Sequence, residues 1–158
     1  MANVIVLHGD GIGPEIGAAA IQLLDRLGGE HIVHGHSIIG SLVDRPSEQV
    51  EGPFAYADGL VLAQESKPDL IIDVATLTGA CDTALGDRVA GIMGNDDALV
   101  LQTIGAGARA GEMLWQLPIA EEMPVKVRTY SKVADLMQHN IDLFGGALYA
   151  AAFLQEFV

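Results

Sequence analysis

Residues 67–80 read K-P-D-L-I-I-D-V-A-T-L-T-G-A, and no other stretch limits the fold as much. A turn signal, Pro68–Asp69, precedes Leu70, Ile71, Ile72, Val74 and Ala75, and only Asp73 breaks the run. A run this short and rich in β-branched residues, closed by Pro and Gly, predicts a strand buried on both faces. Thr76, Leu77, Thr78 and Gly79 stand at its carboxyl end, where parallel α/β sheets place binding chemistry. Two readings stay open: a core strand ending in a Thr-rich turn, or a strand that carries a binding loop.

The chain around it alternates in the same way. Asn3–Leu7 predicts a first strand. His8–Glu15 is a Gly-rich turn, and from Ile16 apolar residues recur three and four apart until Gly28–Gly29 stops the helix. Phe54–Glu65 predicts a helix that Gly59 weakens by about 1 kcal/mol. Cys81–Asp87 reads as a turn or short helix and Val89–Met93 as a strand. Asn95 or Asp96 can cap a helix from Ala98 to about Ala108. Gly105–Gly111 reads as flexible, Trp115 as packed over the core, and Val125–Tyr130 as a strand. Ala147–Phe157 predicts a buried last helix. The alternation predicts one α/β domain over residues 1–158, three-layered α/β/α, with a mostly parallel sheet of about five strands.

With 21 acidic against 8 basic side chains the net charge is −13, which repels nucleic acid and anionic membranes. Cys81 is the only cysteine, so no internal disulfide or thiolate cluster can form, as expected of a reducing cytoplasm. The N-terminal apolar run has no basic flank, and no apolar stretch is long enough to cross a bilayer. His34-Gly-His36 would place two imidazoles on one face of a strand, which is either a surface strand with incidental histidines, the reading preferred, or a weak adventitious metal site with Asp44, Glu48 or Glu51 as further donors. Gly9, Asp10, Gly11, Ile12 and Gly13 open amides at a helix start, which permits anion binding, but Asp10 opposes it. The alternative is a tight strand-to-helix turn.

Residues 67–80 also resemble the leucine aminopeptidase family, the cytosolic two-metal aminopeptidases. The likeness continues through Gly91–Ala98, Gly111–Pro118, Ser131–Leu136, Gly145–Ala147 and Ala151–Val158. It implies hydrolysis of N-terminal residues from peptides with two divalent cations, zinc or manganese. It implies substrate contacts at Thr76, Leu77 and Gly79 and a side-chain pocket wall at Gly145–Ala147. The family's N-T-D-A-E-G-R-L motif falls on Ser47–Phe54, where the ligand Asp becomes Gln49, the ligand Glu remains as Glu51, and the catalytic Arg becomes Pro53. The earlier metal-binding motif has no counterpart. Glu51 is thus the single candidate metal ligand, and the resemblance implies a family chain continuing beyond both ends of this one.

Val6–Glu15 resembles instead the first loop of the isopropylmalate and isocitrate dehydrogenases. That likeness runs into Ile38–Asp44, which matches their second strand, and it implies a nicotinamide (NAD) cofactor near Gly9–Gly13. Those enzymes' catalytic Tyr and Lys have no counterpart here. The chain therefore reads as a junction of two families with a seam near residues 44–51. On that reading it is an engineered or recombined scaffold without efficient catalysis, prone to self-association through exposed apolar surface. The rival readings are a metal-dependent leucine-type aminopeptidase and an NAD-binding fragment.

Overall fold

β-Branched residues and strand pairing build the first part of the molecule. The computed structural model describes residues 2–8, 31–37 and 53–158. These fall into two units divided between Thr76 and Leu77, with Val158 grouped with the first. In the first unit β1 (Ala2–His8), β2 (His31–Ser37) and β3 (Leu70–Val74) form a parallel sheet in the order β2-β1-β3. Val4 pairs with Val33 on one side and Leu70 on the other. Parallel neighbours need long crossovers, and α1 (Pro53–Glu65) lies within the one that leads to β3. Pro53 opens α1, where its missing N–H costs nothing. Lys67, at φ 48°, turns the chain out of the helix, and Pro68 prevents its continuation. Ala57, Leu60 and Ala63 are buried on α1.

The second unit repeats the logic with two strands. It contains α2 (Gly79–Leu85), β4 (Val89–Ile92), α3 (Asp97–Ala110), β5 (Met113–Gln116), α4 (Glu122–Thr129) and α5 (Gly146–Gln155). β4 and β5 are parallel, with Val89 opposite Met113 and Ile92 opposite Gln116. α3 is their crossover. Asp96 caps it, its Oδ1 accepting from the Ala98 and Leu99 amides at 2.8 and 3.0 Å. Gly111, at φ 87°, ends it in the left-handed conformation that glycine adopts without strain. Val100, Thr103, Ala106 and Gly107 make its buried face. A Cβ on Gly107 would stand 2.8 Å from Leu114 Cδ1 and 3.1 Å from the Glu112 carbonyl oxygen, so the missing side chain lets α3 approach β5. α4 packs on α5, burying Met123 and Val127 against an apolar helix whose Tyr149 and Phe153 are almost wholly enclosed. The Tyr149 hydroxyl donates to the Met137 carbonyl at 2.7 Å.

The α/β class and the parallel pairing agree with the sequence reading. The five strands described divide into sheets of three and two. Several local expectations are corrected. β3 is half-buried at all five positions, because among the described residues it pairs only with β1 and so forms a sheet edge. The expected flexible stretch at Gly105–Gly111 is helical as far as Ala110, held by the Gly107 contact. Val125–Tyr130 is mostly helix, not strand, because Met123 and Val127, four apart, both reach the core. Trp115 is 64% exposed: on β5 it points opposite to Leu114, the residue that meets α3. The helix from Ile16, the strand at Ile38–Asp44 and the seam at 44–51 lie outside the described residues.

Two glycines two residues apart on α3 should respond oppositely to alanine. Gly105→Ala meets only Arg109 Nη1 at 3.5 Å and should gain about 0.5–1 kcal/mol from helix propensity. Gly107→Ala should cost about 1–2 kcal/mol through overpacking. Urea denaturation of both variants checks this, and equal stabilities would refute the close-approach account.

Candidate functional site

β3 ends at Val74, and the chain runs without regular structure through Thr76 and Leu77 to Thr78, the N-cap of α2. Thr78 is extended (φ −140°, ψ 133°), and both its hydroxyl and its carbonyl oxygens accept from the Cys81 amide, at 3.4 and 3.2 Å. Capping therefore fixes the loop conformation. Thr76 and Gly79 are exposed and Leu77 is half-buried. A Cβ on Gly79 would meet nothing within 4 Å, so its backbone faces open space.

The wall at Gly145–Ala147 reaches the same place. Gly145 lies in the left-handed region (φ 73°), and a Cβ there would stand 3.0 Å from Met123 Cε. A Cβ on Gly146 would stand 3.3 Å from Ala80 Cβ, where α5 packs on α2. Leu77–Gly79 and Gly145–Ala147 are therefore neighbours within the second unit, although more than 60 residues separate them in sequence. The 140–144 loop before this wall is self-bonded. Asn140 Nδ2 donates to the Phe144 carbonyl at 3.0 Å, and the Asp142 amide donates to Asn140 Oδ1 at 3.1 Å. Lys126 pairs with Asp142 at 2.6 Å.

The remaining sequence candidates are not drawn into this site. Gly9, Asp10, Gly11, Ile12, Gly13 and Glu51 lie outside the described residues. His34 and His36 lie on β2, opposite Ile5 and Leu7 of β1. Among the described residues no three His, Cys, Asp or Glu side chains cluster as a metal site would require. The described residues thus do not by themselves supply the donors that a pair of cations needs. Sequence reasoning passed over Asp73 as a mere break in an apolar run. Its carboxyl is pushed up to about 7 by burial, and Oδ1 has no hydrogen-bond partner. The signal was present: a lone carboxylate inside a five-residue apolar strand has to be desolvated.

The cytosol aminopeptidase family, catalytic domain, matches residues 37–158. The chain belongs to that family. A probable cytosol aminopeptidase of Leifsonia xyli subsp. xyli is 47% identical over 120 residues, which cover 75% of this chain and 24% of that protein. A cytosol aminopeptidase structure from Coxiella burnetii superposes with a TM-score of 0.69 at 27% identity, covering 99% of this chain and 43% of its own. The bottromycin maturation enzyme BotP gives 0.75 at 28% identity, covering 99% and 42%. This chain spans about a quarter of the length of the curated relatives it matches. The family match begins ahead of Asp44 and runs through the expected seam, and each solved chain covers both sides of it. The comparisons lend no support to a dehydrogenase-derived half or to a junction of two families.

Asp73 gives the stability of this family member a pH dependence. Below about pH 4 the carboxyl is protonated in both folded and unfolded chains. As pH rises from there to about 7, only the unfolded chain ionises, so stability falls, and above 7 it levels off. The full shift corresponds to at most about 4 kcal/mol, at about 1.4 kcal/mol per pH unit. Asp73→Asn should be more stable than the parent at pH 8 and should flatten this dependence. Urea midpoints measured from pH 4 to 8 check it, and parallel curves for the two proteins would contradict it.

Proposed function

We propose that this chain forms the substrate-side part of an aminopeptidase catalytic domain. It holds the N-terminal residue of a peptide between the Leu77–Gly79 loop and the Gly145–Ala147 wall. The observation that carries the reading is the approach of Gly146 to Ala80, which brings the wall and the loop together. Gly79 leaves its backbone open, as extended peptide binding needs.

Release of the N-terminal residue by divalent cations, zinc or manganese, is the chemistry that family membership favours. Such cations would activate water and polarise the scissile carbonyl. Glu51 is the family ligand retained in this sequence, while Gln49 and Pro53 cannot replace a ligand carboxylate and a guanidinium. The expected behaviour is peptide binding with poor hydrolysis by this chain alone. The NAD reading has only the Gly9–Gly13 pattern behind it.

Calorimetric titration with zinc, manganese and a leucine-headed peptide, run beside a hydrolysis assay, separates these components. Peptide should bind, and two-ion binding should be weak. Tight binding of two ions with rapid turnover would show that the metal shell is complete after all, and absence of peptide binding would sink the cleft. Gly79→Ala divides structure from function. It should raise stability by about 0.4–1 kcal/mol while weakening peptide binding severalfold. A parallel change in both, or no loss of binding, would count against loop contact.

A further inference from the structure

Four residues of α4 and its C-cap hold the segment that leads into the Gly145–Ala147 wall. Met123, Lys126, Val127 and Tyr130 are spaced three and four apart, so they share one helix face. Met123 lies beneath Gly145, where a Cβ would stand 3.0 Å from its Cε. Lys126 Nζ meets Asp142 Oδ2 at 2.6 Å, and the Tyr130 hydroxyl stands 3.5 Å from the same oxygen. The Val127 carbonyl accepts from the Met137 amide at 2.7 Å, and the Met137 carbonyl accepts from the Tyr149 hydroxyl. Residues 137–145 therefore form a strap laid along α4. Apolar burial does not hold its tip: Ile141, Leu143 and Phe144 are 60%, 88% and 80% exposed. Asp142 is what ties that tip to α4.

We infer that Lys126 and Asp142 are positioning residues for peptide binding: their ion pair latches the strap and so fixes the Gly145–Ala147 wall. Asn140 carries the constraint along the tip. Its Oδ1 accepts from the Asp142 amide and its Nδ2 donates to the Phe144 carbonyl, so a shift at Asp142 reaches the residue before Gly145. Gly145 is the left-handed turn into α5, and its carbonyl accepts the helical bond from the Tyr149 amide at 2.9 Å. Both members of the pair are partly exposed, and exposed ion pairs are weak. The latch therefore biases the wall without deciding whether the chain folds. Lys126 and Asp142 act through Gly145, not by touching the peptide. The inference rests on the peptide-binding reading of that wall.

Lys126→Met, Asp142→Asn and the double variant test this in the whole chain. Each is measured for affinity to a leucine-headed peptide by calorimetry, for amide exchange by NMR and for its urea midpoint. Each single variant should weaken peptide binding about two- to fivefold. The double variant should be no weaker than either single, because one shared contact is lost in all three. The Tyr149 amide, bonded to Gly145, should exchange about two- to fivefold faster. The Met137 amide, held by Val127 independently of the latch, should keep its rate. Urea midpoints should stay close to the parent's. A merely structural role would lower the urea midpoints and speed both amides together, and that result overturns the latch. Additive losses in the double variant also overturn it. Parental peptide affinity in all three variants overturns it while leaving the peptide-binding reading intact. If the parent itself binds no peptide, that reading is what fails, and the inference falls with it.

Discussion

Parallel hydrogen bonding between strands is the constraint from which the rest of this chain follows. A parallel neighbour cannot be reached by a tight turn, so each pairing imposes a crossover. Between β4 and β5 that crossover is α3, and its two ends are set by opposite devices. A carboxylate satisfies the first amides, and a left-handed glycine releases the last turn. Gly107 then decides how near the helix can lie to the strand it feeds. Cap, helix and close contact together return the chain to the start of β5 in register with β4.

Short apolar runs with clear punctuation were legible in the sequence. β3 follows directly from Pro68, Gly79 and the apolar run between them, α1 was expected within a residue of its start, and the cap of α3 was narrowed to Asn95 or Asp96. What local pattern missed was decided by tertiary contacts. Val125, Val127 and Thr129 alternate as a strand would, yet helix α4 wins because Met123 and Val127 are buried together against α5. The glycines at 105 and 107 suggest looseness when read singly, and only the strand beside them shows that one is a contact point. Trp115 was misread because hydrophobic bulk says nothing about which face of a short strand is covered.

The candidate site was legible to the same extent. Leu77–Gly79 and Gly145–Ala147 could be named separately from family resemblance, but their adjacency is a property of helix packing that no local spacing encodes. The break expected near residues 44–51 finds no support in the comparisons, since the family match runs through it. A Gly-rich turn followed by a helix is a common solution for leaving a parallel strand, so likeness there to another family carries little information. Continuous matching from residue 37 onward carries far more.

Trp115 is the chain's single tryptophan and is mostly exposed on β5. Its indole is therefore the sole source of tryptophan emission in the molecule, and it sits in a wet, polarisable setting. Fluorescence from this protein reports the local state of the β4–β5 edge, not the compactness of its core. A spectrum typical of a solvated indole would accompany the fully folded chain, and loss of the buried Tyr149–Phe153 packing need not move it.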